Sequence, residues 1–484
     1  MRSSNRCGEC GFAPPCHHES FCLLQRNALR LDVARHLSGG KMLLDSIRKG
    51  MLLGAAAVAI AAGNDASAWS PPDFPRVAGI QIGSPFNYDN PAYQDQLAKQ
   101  SVMVLNYYPT MQPDGVPMQT VLTQIKAKNP NALIFTYVNA NQLRADQALN
   151  TTSWGPYRTQ INNMKWWLYS DKAMTQYVNA GFGTPGDNEV NFTLFTPKDS
   201  SGNNAIDWMT RFFVNTYAKP TPAIDGFVMD NVFWRPYIDG DWNRDGTIDS
   251  QTNPTVQSWI RQGYARYFSL VRTLMPGKYQ MGNIGDWGAA NSTITEYQGM
   301  ANGGVMEGYI GKAWSVESWG GFAATLAQYR KVMGALAAPK IGIFNQWGNS
   351  TDYQSMRYGL GMCLMDDGYY SFTDNTKQYY GVVWFDELDH KLGGGSTKPT
   401  AAWQKGVWRR DFDNGIALVN PKGNGQQTVT LETAYIKIKG GQDPATNNGQ
   451  TVTTVTLKDR DGIILLRQKP APRPSAPSGF TVEH

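Results

Sequence analysis

Residues 226–232 read GFVMDNV, and this short run decides the fold. Four small or apolar residues are followed at once by a carboxylate and an amide. A run without alternation of polar and apolar residues is typical of a strand buried on both faces in a parallel sheet. Burying a carboxylate directly after such a strand costs free energy, so a carboxylate at this position is expected to have a function. The run therefore predicts a buried strand with a functional carboxylate, Asp230, at its end.

Seven further runs of the same kind surround this one, and helix-like stretches lie between most of them. The other predicted strands are Val77–Gly83, Val102–Tyr108, Ala132–Asn139, Tyr279–Ile284, Gly303–Ile310, Lys340–Trp347 and Gly368–Thr373. The predicted helices are Val116–Lys128, Thr255–Met275, Phe322–Leu336 and Tyr353–Met365. Eight strands that alternate with helices predict an α/β fold, the (β/α)8 TIM barrel.

The pattern changes after about residue 400, where short strands are separated by turn signals. We expect the barrel over residues 69–400, with an insertion at about 141–224 that is rich in Trp, Asn and Gly. A small C-terminal antiparallel β-sandwich is expected over residues 401–468. The proline-rich tail over residues 469–484 is expected to be a linker.

The N-terminal region has the features of an export signal. Residues 42–68 contain a short basic region, an apolar run too short to span a membrane, and the small-residue cleavage pattern Ala66-Ser67-Ala68. Met42 would start such a signal well, so we expect residues 1–41 to be a non-native upstream extension. The protein is therefore expected to be secreted or periplasmic, with no stable membrane span after the signal is cleaved.

Composition narrows the chemistry. The chain of 484 residues is 41% apolar and 12% aromatic, which excludes a disordered or fibrous protein. A net charge of +5 is weak for this length and gives no support to nucleic-acid binding. Beyond residue 68 the only cysteine is Cys363 and the only histidines are His390 and His484. A histidine-based triad or a multi-histidine metal site is thus disfavoured, and carboxylates are the main candidates.

Asp230 and Glu307 are the candidate catalytic residues. Each lies at the end of an apolar strand, where barrel enzymes carry their catalytic groups. Glycosidic cleavage needs two facing carboxyl groups, one to protonate the leaving oxygen and one to attack or to activate water. The alternatives are a loop-capping carboxylate for Asp230 and an ion pair for Glu307.

Aromatic and polar residues at the same predicted rim are candidate substrate ligands, because sugar rings pack their C–H faces on aromatic side chains. Ordinary packing against helices is the alternative for many of them. The candidate substrate-binding residues are Tyr108, Tyr137, Asn231, Trp234, Asp286, Trp287, Tyr309, Trp347 and Asp367.

A loop after the fourth predicted strand resembles the first part of an EF-hand loop. Its alternating oxygen side chains suit a hard cation, and Gly246 permits the sharp turn. Thr252 stands where the bidentate acid is expected, so a plain polar turn is the alternative to a structural Ca²⁺ site. No organic cofactor is expected. The predicted metal ligands are Asp241, Asn243, Asp245, Thr247 and Asp249.

Several segments together resemble the hypothetical glycosyl hydrolase family 15, a group of uncharacterised barrel proteins. The resemblance runs from roughly Pro75 to Leu466, and the order and spacing of the segments carry it. These segments are IDGFVMDNVFWRP, GGVMEGYIG, GLGMCLMDDGYYSF, WFDELDHKLG and WRRDFDNGIALVNP.

That family is in turn distantly similar to barrel hydrolases that cut α-1,4-linked galactosamine polymers. By this similarity Asp230 would be the nucleophile and Glu307 the general acid/base. The resemblance implies a secreted glycoside hydrolase that acts on a carbohydrate polymer, with retention as the favoured outcome. A non-catalytic carbohydrate-binding or cell-surface barrel is the alternative, and a polysaccharide lyase or deacetylase is a further one.

Overall fold

The structure, a computed structural model, describes residues 69–83, 85–107, 112–144, 154–180, 186–289 and 294–468. The upstream extension, the signal peptide and the proline-rich tail lie outside the described residues. The strands in the described residues are β1 Ala78–Gln81, β2 Val102–Leu105, β3 Leu133–Val138, β4 Gln142–Arg144, β5 Asp187–Glu189, β6 Gly226–Met229, β7 Tyr279–Asn283, β8 Gly303–Ile310, β9 Ile341–Gly348, β10 Tyr369–Asp374, β11 Trp408–Phe412, β12 Gly415–Asn420, β13 Gln427–Lys437, β14 Thr451–Leu457 and β15 Asp461–Arg467.

Helices cover or extend this framework. The α-helices in the described residues are α1 Pro91–Leu97, α2 Met118–Lys128, α3 Trp154–Met164, α4 Ala205–Phe213, α5 Pro254–Leu274, α6 Val316–Trp319, α7 Gly321–Ala335 and α8 Tyr353–Leu364. One π-helix, Val214–Ala218, continues α4, and short 3₁₀ helices include Gly285–Ala289 and Asp386–Asp389. No helix of the described residues is long and apolar enough to cross a membrane.

Eight of the strands form one parallel sheet in the order β1-β2-β3-β6-β7-β8-β9-β10. Val77, just before β1, forms a parallel bridge with Tyr370 of β10, and the Tyr370 N–H donates to the Arg76 carbonyl at 2.8 Å. This contact brings the two edge strands together and closes the sheet into a barrel. The predicted (β/α)8 fold is confirmed.

The strands are nearly continuous in apolar residues because they are buried on both faces. Inside the barrel, side chains such as Phe135, Val228 and Val305 form one apolar cluster. Their neighbours Met229 and Met306 point outward and join a larger cluster with the surrounding helices. The side chains of each strand therefore contribute alternately to the core inside the barrel and to the core between the barrel and its helices, as expected for a parallel sheet.

The segment between β3 and β6 is much longer than one connection. It holds the antiparallel strand pair β4–β5, the helix α3 between these two strands, α4 and the π-helix, in the region where we expected an insertion. Trp166 and Trp167 are fully buried there. The insertion therefore shares one apolar cluster with the outer face of the barrel, and in the chain it directly precedes β6, the strand that leads to Asp230.

The C-terminal strands form one antiparallel sheet in the order β11-β12-β15-β13-β14. We expected the two sheets of a sandwich, but a single sheet is present. The sequence pattern in this region predicts two short strands, Thr428–Leu431 and Tyr435–Ile438. The structure has one long strand instead, β13, whose register shifts between Thr430 and Tyr435. The irregularity produced the break that the sequence pattern showed as two strands.

Helix α8 lies between the barrel and the C-terminal sheet. Nine consecutive residues, Met356–Leu364, are buried, which requires neighbours on every side. A Cβ atom at Gly361 would lie 3.1 Å from Val419, and one at Gly462 would lie 2.4 Å from the Arg357 carbonyl oxygen. Helix and sheet therefore approach each other closely because glycine stands at both contacts.

Candidate active site

Asp230 is the first residue after β6, at the carboxyl end of the barrel. Its N–H donates to the Val138 carbonyl of β3 at 2.8 Å, so the parallel pairing reaches this residue. The next residue, Asn231, has a left-handed backbone (φ 55°), a conformation that asparagine tolerates better than most residues. The Asn231 N–H donates to Asp230 Oδ1 at 2.9 Å. The turn thereby fixes the carboxylate at the strand end.

One residue of α5 and one residue of the insertion hold this turn from behind. The Asn231 carbonyl accepts a hydrogen bond from the Tyr264 hydroxyl at 2.5 Å, and the Asn231 amide donates to Gln142 at 3.2 Å. Asn231 is only 7% exposed. It was predicted as a substrate ligand, and the structure instead bonds its side chain to the protein interior, where it supports Asp230.

Glu307 lies within β8, next to an irregularity in the strand. The β8–β9 register shifts between Met306 and Ile310, and Gly308 has a left-handed backbone (φ 57°). The Gly308 N–H donates to Asn345 Oδ1 at 3.0 Å, so a side chain replaces the usual backbone partner. This bulge holds Glu307 on the interior side of the barrel end, facing the Asp230 strand.

One amide group joins the two carboxylates. Asn283, the last residue of β7, donates through Nδ2 to Asp230 Oδ1 at 3.1 Å and to Glu307 Oε2 at 3.0 Å. Because both oxygens bond the same nitrogen, they can be no more than about 6.1 Å apart. The structure therefore brings together the two residues that the sequence singled out.

A tyrosine hydroxyl donates a hydrogen bond to the remaining oxygen of each carboxylate. Tyr137 of β3 donates to Asp230 Oδ2, and Tyr379, in the segment after β10, donates to Glu307 Oε1. Burial and then the neighbouring carboxylate raise the pKa of both phenols far above the usual value. Both tyrosines therefore stay protonated and act as donors. All four carboxyl oxygens are hydrogen-bonded, which fixes their orientation.

The environment favours the protonated form of Glu307. Burial raises its pKa, and the charge of Asp230 raises it further, while the Tyr379 and Asn283 bonds and the nearby Lys312 act in the opposite direction. The Lys312 ammonium lies 3.5 Å from the centre of the Trp347 ring, and burial lowers its pKa. A carboxyl group with a raised pKa beside an ionised carboxylate is suited to act as a general acid.

Two predicted aromatic ligands border this pair. Tyr137 bonds Asp230, and Trp347 packs edge-on against Tyr379 with ring centres 5.4 Å apart. Trp234 is half-buried in the segment after β6, and its carbonyl accepts a hydrogen bond from Arg261 at 3.1 Å. Their roles toward a sugar remain predictions.

Asp286 lies in the 3₁₀ helix after β7. Its Oδ2 accepts a hydrogen bond from the Tyr237 hydroxyl at 2.9 Å, and its Oδ1 has no partner among the described residues. Burial raises the pKa of Asp286 to about 7. It is the third carboxyl group described at this end of the barrel, after Asp230 and Glu307, and its role toward substrate remains a prediction.

Besides Asn231, three further predicted substrate ligands need correction. Trp287 is 2% exposed and donates to the Val232 carbonyl at 2.8 Å, so it is part of the packed interior. Tyr309 is 4% exposed and packs on Tyr329 and Phe344 in the outer core.

Asp367 precedes β10 and so lies at the amino end of the barrel, opposite the candidate site. It forms ion pairs with Arg410 at 2.8 Å and Lys398 at 2.9 Å. Tyr108, another predicted substrate ligand, lies outside the described residues.

Two residues of the site were missed as candidates. The only feature of the sequence that could have indicated Asn283 is its position, since it is a polar residue at the end of an apolar strand. Tyr379 follows the last barrel strand in an irregular segment and has no distinguishing pattern. Both were found only once the fold placed their side chains against the carboxylates.

The predicted metal loop is closed by Gly240 and Asp249, whose backbone groups bond each other at 3.2 and 2.8 Å. Asp245 accepts hydrogen bonds from the Asn243 amide at 2.9 Å and from the Thr247 N–H at 2.8 Å. In the described part of the chain, no three His, Cys, Asp or Glu side chains form a group that could hold a metal ion. The loop oxygens are thus bonded mainly to the loop's own N–H groups.

No curated protein matches the chain. Among solved structures, the α-amylase of Geobacillus thermoleovorans is similar with a TM-score of 0.43 and 10% identity, over 83% of this chain and 99% of that chain. The glycoside hydrolase domain of PelA from Pseudomonas aeruginosa gives a TM-score of 0.37 and 11% identity, over 64% of this chain and 99% of that chain.

The GH36 α-galactosidase AgaA from Geobacillus stearothermophilus gives a TM-score of 0.41 and 9% identity, over 82% of this chain and 56% of that chain. These likenesses are distant, and the assignment depends on sequence. A sequence model of one family matches residues 126–416, which is more than half of the chain. The chain therefore belongs to hypothetical glycosyl hydrolase family 15.

Proposed function

We propose that the chain is a secreted or periplasmic glycoside hydrolase that cleaves a polysaccharide with retention of configuration. Asp230 is the nucleophile and Glu307 the general acid/base. The observation that carries this proposal is the shared Asn283 amide, which limits the distance between the bonded carboxyl oxygens to about 6.1 Å.

The distance between the two catalytic carboxyl groups distinguishes retaining from inverting glycoside hydrolases. Carboxyl groups in retaining enzymes lie about 5–5.5 Å apart, whereas those in inverting enzymes lie about 6.5–9.5 Å apart to admit a water molecule. The limit set by Asn283 falls below the inverting range. It also favours catalysis over the non-catalytic barrel, for which we expected the two carboxyl groups to be too far apart for either mechanism.

The residues divide the reaction into two steps. Glu307, protonated, gives its proton to the glycosidic oxygen while an oxygen of Asp230 attacks the anomeric carbon and the leaving sugar departs. Glu307, now ionised, takes a proton from water, and that water oxygen displaces Asp230 from the anomeric carbon. The free sugar is released, and both carboxyl groups return to their starting states.

A polymer substrate is supported by the surface next to Glu307. Trp314 lies beside the bulge that follows Glu307, since a Cβ atom at Gly308 would be 3.0 Å from its Nε1, and it is 55% exposed. Large exposed aromatic rings beside a site are suited to sugar rings, which offer an apolar face. Export is supported by the signal pattern at residues 42–68 alone.

A screen of exopolysaccharides for released oligosaccharides tests the proposal. The wild-type chain is expected to release product, and Asp230→Asn and Glu307→Gln are expected to lower kcat by at least about 100-fold with an unchanged circular dichroism spectrum. The anomer formed first, read by proton NMR, is expected to match that of the substrate. Full activity in either variant, or an inverted first product, would overturn the assignment.

A further inference from the structure

A lysine beside the proposed general acid has no acceptor for its ammonium group. Lys312 lies in the turn after β8, and its Nζ has neither a hydrogen-bond acceptor nor an ion pair among the described residues. The half-buried ammonium lies over two tryptophan rings, 3.5 Å from the centre of Trp347 and 5.4 Å from that of Trp314. Cation–π contacts replace only part of the hydration that burial removes. The three N–H donors are therefore open to a ligand.

The backbone around Lys312 fixes where the ammonium lies. Gly311 has a left-handed backbone (φ 91°), and a Cβ atom there would lie 1.8 Å from the Trp347 carbonyl oxygen, so the turn packs directly on the end of β9. The Lys312 carbonyl accepts the Ser315 and Ser318 hydroxyls at 2.6 and 2.8 Å. A turn held in this way presents its side chain in advance, which reduces the entropy lost on binding.

The ammonium belongs to the surroundings of the general acid. A Cβ atom at Gly308, the residue after Glu307, would lie 2.9 Å from Lys312 Cγ. The Trp347 ring that contacts the ammonium packs on Tyr379, whose hydroxyl bonds Glu307. The charge of Lys312 also acts to lower the pKa of Glu307. A general acid faces the glycosidic oxygen that leaves, so a group beside Glu307 meets the sugar on the leaving side of the bond.

We propose that Lys312 binds an acidic group, a carboxylate or a sulfate, on the sugar that leaves with the glycosidic oxygen. The proposal rests on the glycosidase function and names its substrate class, an acidic polysaccharide. The exposed ring of Trp314 receives the apolar face of the same sugar. An anion is favoured over a hydroxyl because a charge-assisted hydrogen bond is about twice as strong as a neutral one. Asp230 and Glu307 do not supply this anion, since all four of their oxygens accept other hydrogen bonds.

Binding to an inactive variant tests the site separately from the reaction. Asp230→Asn is titrated with fragments of polygalacturonate, polymannuronate, hyaluronan and carrageenan, and binding is followed by tryptophan fluorescence and calorimetry. Each fragment is paired with its neutral form, in which the carboxyl groups are reduced to alcohols or the sulfates are removed, so the pairs distinguish carboxylate from sulfate. At least one acidic fragment is expected to bind about 10–100-fold more tightly than its neutral form. Cationic galactosamine oligomers are expected to bind more weakly than either form, because Lys312 repels them.

Matched lysine variants, each combined with Asp230→Asn, assign the preference. Lys312→Met removes the charge, keeps an apolar stem on Trp347, and is expected to abolish the preference while leaving the affinity for the neutral form unchanged. Lys312→Arg keeps the charge and is expected to retain most of the preference. Lys219→Met removes an exposed lysine before β6, at the amino end of the barrel, and is expected to change nothing. Equal affinity within every acidic and neutral pair, or a preference that persists in Lys312→Met, would overturn the proposal.

Hydrolysis assays of the wild-type chain on the same pairs separate this site from the proposed reaction. Cleavage of an acidic polymer at least about tenfold faster, in kcat/KM, than of its neutral form is expected. Cleavage of neutral polymers alone would overturn the acidic-sugar site and leave the glycosidase function standing. Acid-dependent binding that Lys312→Met abolishes, without cleavage of any bound polymer, would overturn the glycosidase function and leave the site standing.

Discussion

Replacing Asp230 by asparagine is expected to lower the pKa of Glu307. The charge of Asp230 is one of the causes that raise this pKa, and asparagine removes the charge while keeping the shape and the Oδ1 acceptor. At a separation of about 6 Å, two unit charges repel by about 2.8 kcal/mol at an effective dielectric constant of 20 and by about 0.7 kcal/mol at 80. One pKa unit corresponds to about 1.4 kcal/mol, so the expected fall is about 0.5–2 units.

The pKa of Glu307 can be measured by infrared titration of its carboxyl band. The spectrum of each protein is compared with that of the same protein carrying Glu307→Gln, which isolates the Glu307 signal. Asp367→Asn, at the opposite end of the barrel, is the control and is expected to leave this pKa unchanged. An unchanged or raised pKa of Glu307 in Asp230→Asn would refute the electrostatic coupling of the pair.

Three further outcomes follow from the described contacts. Tyr379→Phe removes a hydrogen bond that stabilises ionised Glu307, so the same titration is expected to show a pKa about 1–2 units higher, and a lower pKa would contradict the bond. Burial raises the pKa of Glu189 from 4.5 to about 8, so between these values the folded chain keeps a proton that the unfolded chain loses. The free energy of unfolding therefore falls as pH rises through this window; urea titrations of Glu189→Gln at pH 5 and 8 are expected to show a smaller fall, and an equal fall would contradict the buried acid. Trp287→Ala empties a packed position and is expected to lower the free energy of unfolding by about 3–5 kcal/mol in urea, whereas the exposed Trp314→Ala is expected to change it by less than about 0.5 kcal/mol. Equal effects of these two variants would show that burial is not the cause.

The barrel and its two carboxylates were predictable because the same physical effect reveals both. Strands buried on two faces must be nearly all apolar, so a charge at the end of such a strand stands out in the sequence. Asp230 and Glu307 were found in this way. Asn283 was not, since a neutral amide at a strand end is common and carries no comparable signal.

The misplaced candidates show what a strand pattern does not contain. Val305 and Glu307 face the barrel interior, and alternation would place Tyr309 on the same side. The bulge at Gly308 reverses the next side chain, so Tyr309 joins the outer core. Asp367 could have been excluded from the sequence, because it precedes the predicted strand Gly368–Thr373 and therefore lies at the amino end of the barrel.

The position of α8 has a consequence for how the protein can be divided. Val419 and Ile464 of the C-terminal sheet belong to the same apolar cluster as Leu360 and Met362 of the helix, so barrel and sheet share one interior. The sheet is therefore not an exchangeable module that could be lost or transferred between enzymes. The matched family segment, residues 126–416, begins inside α2 and ends inside β12, so the sequence shared by the family is smaller than the unit that folds. A chain cut at the end of the matched segment would leave the apolar side chains of α8 that pack on the sheet exposed to water.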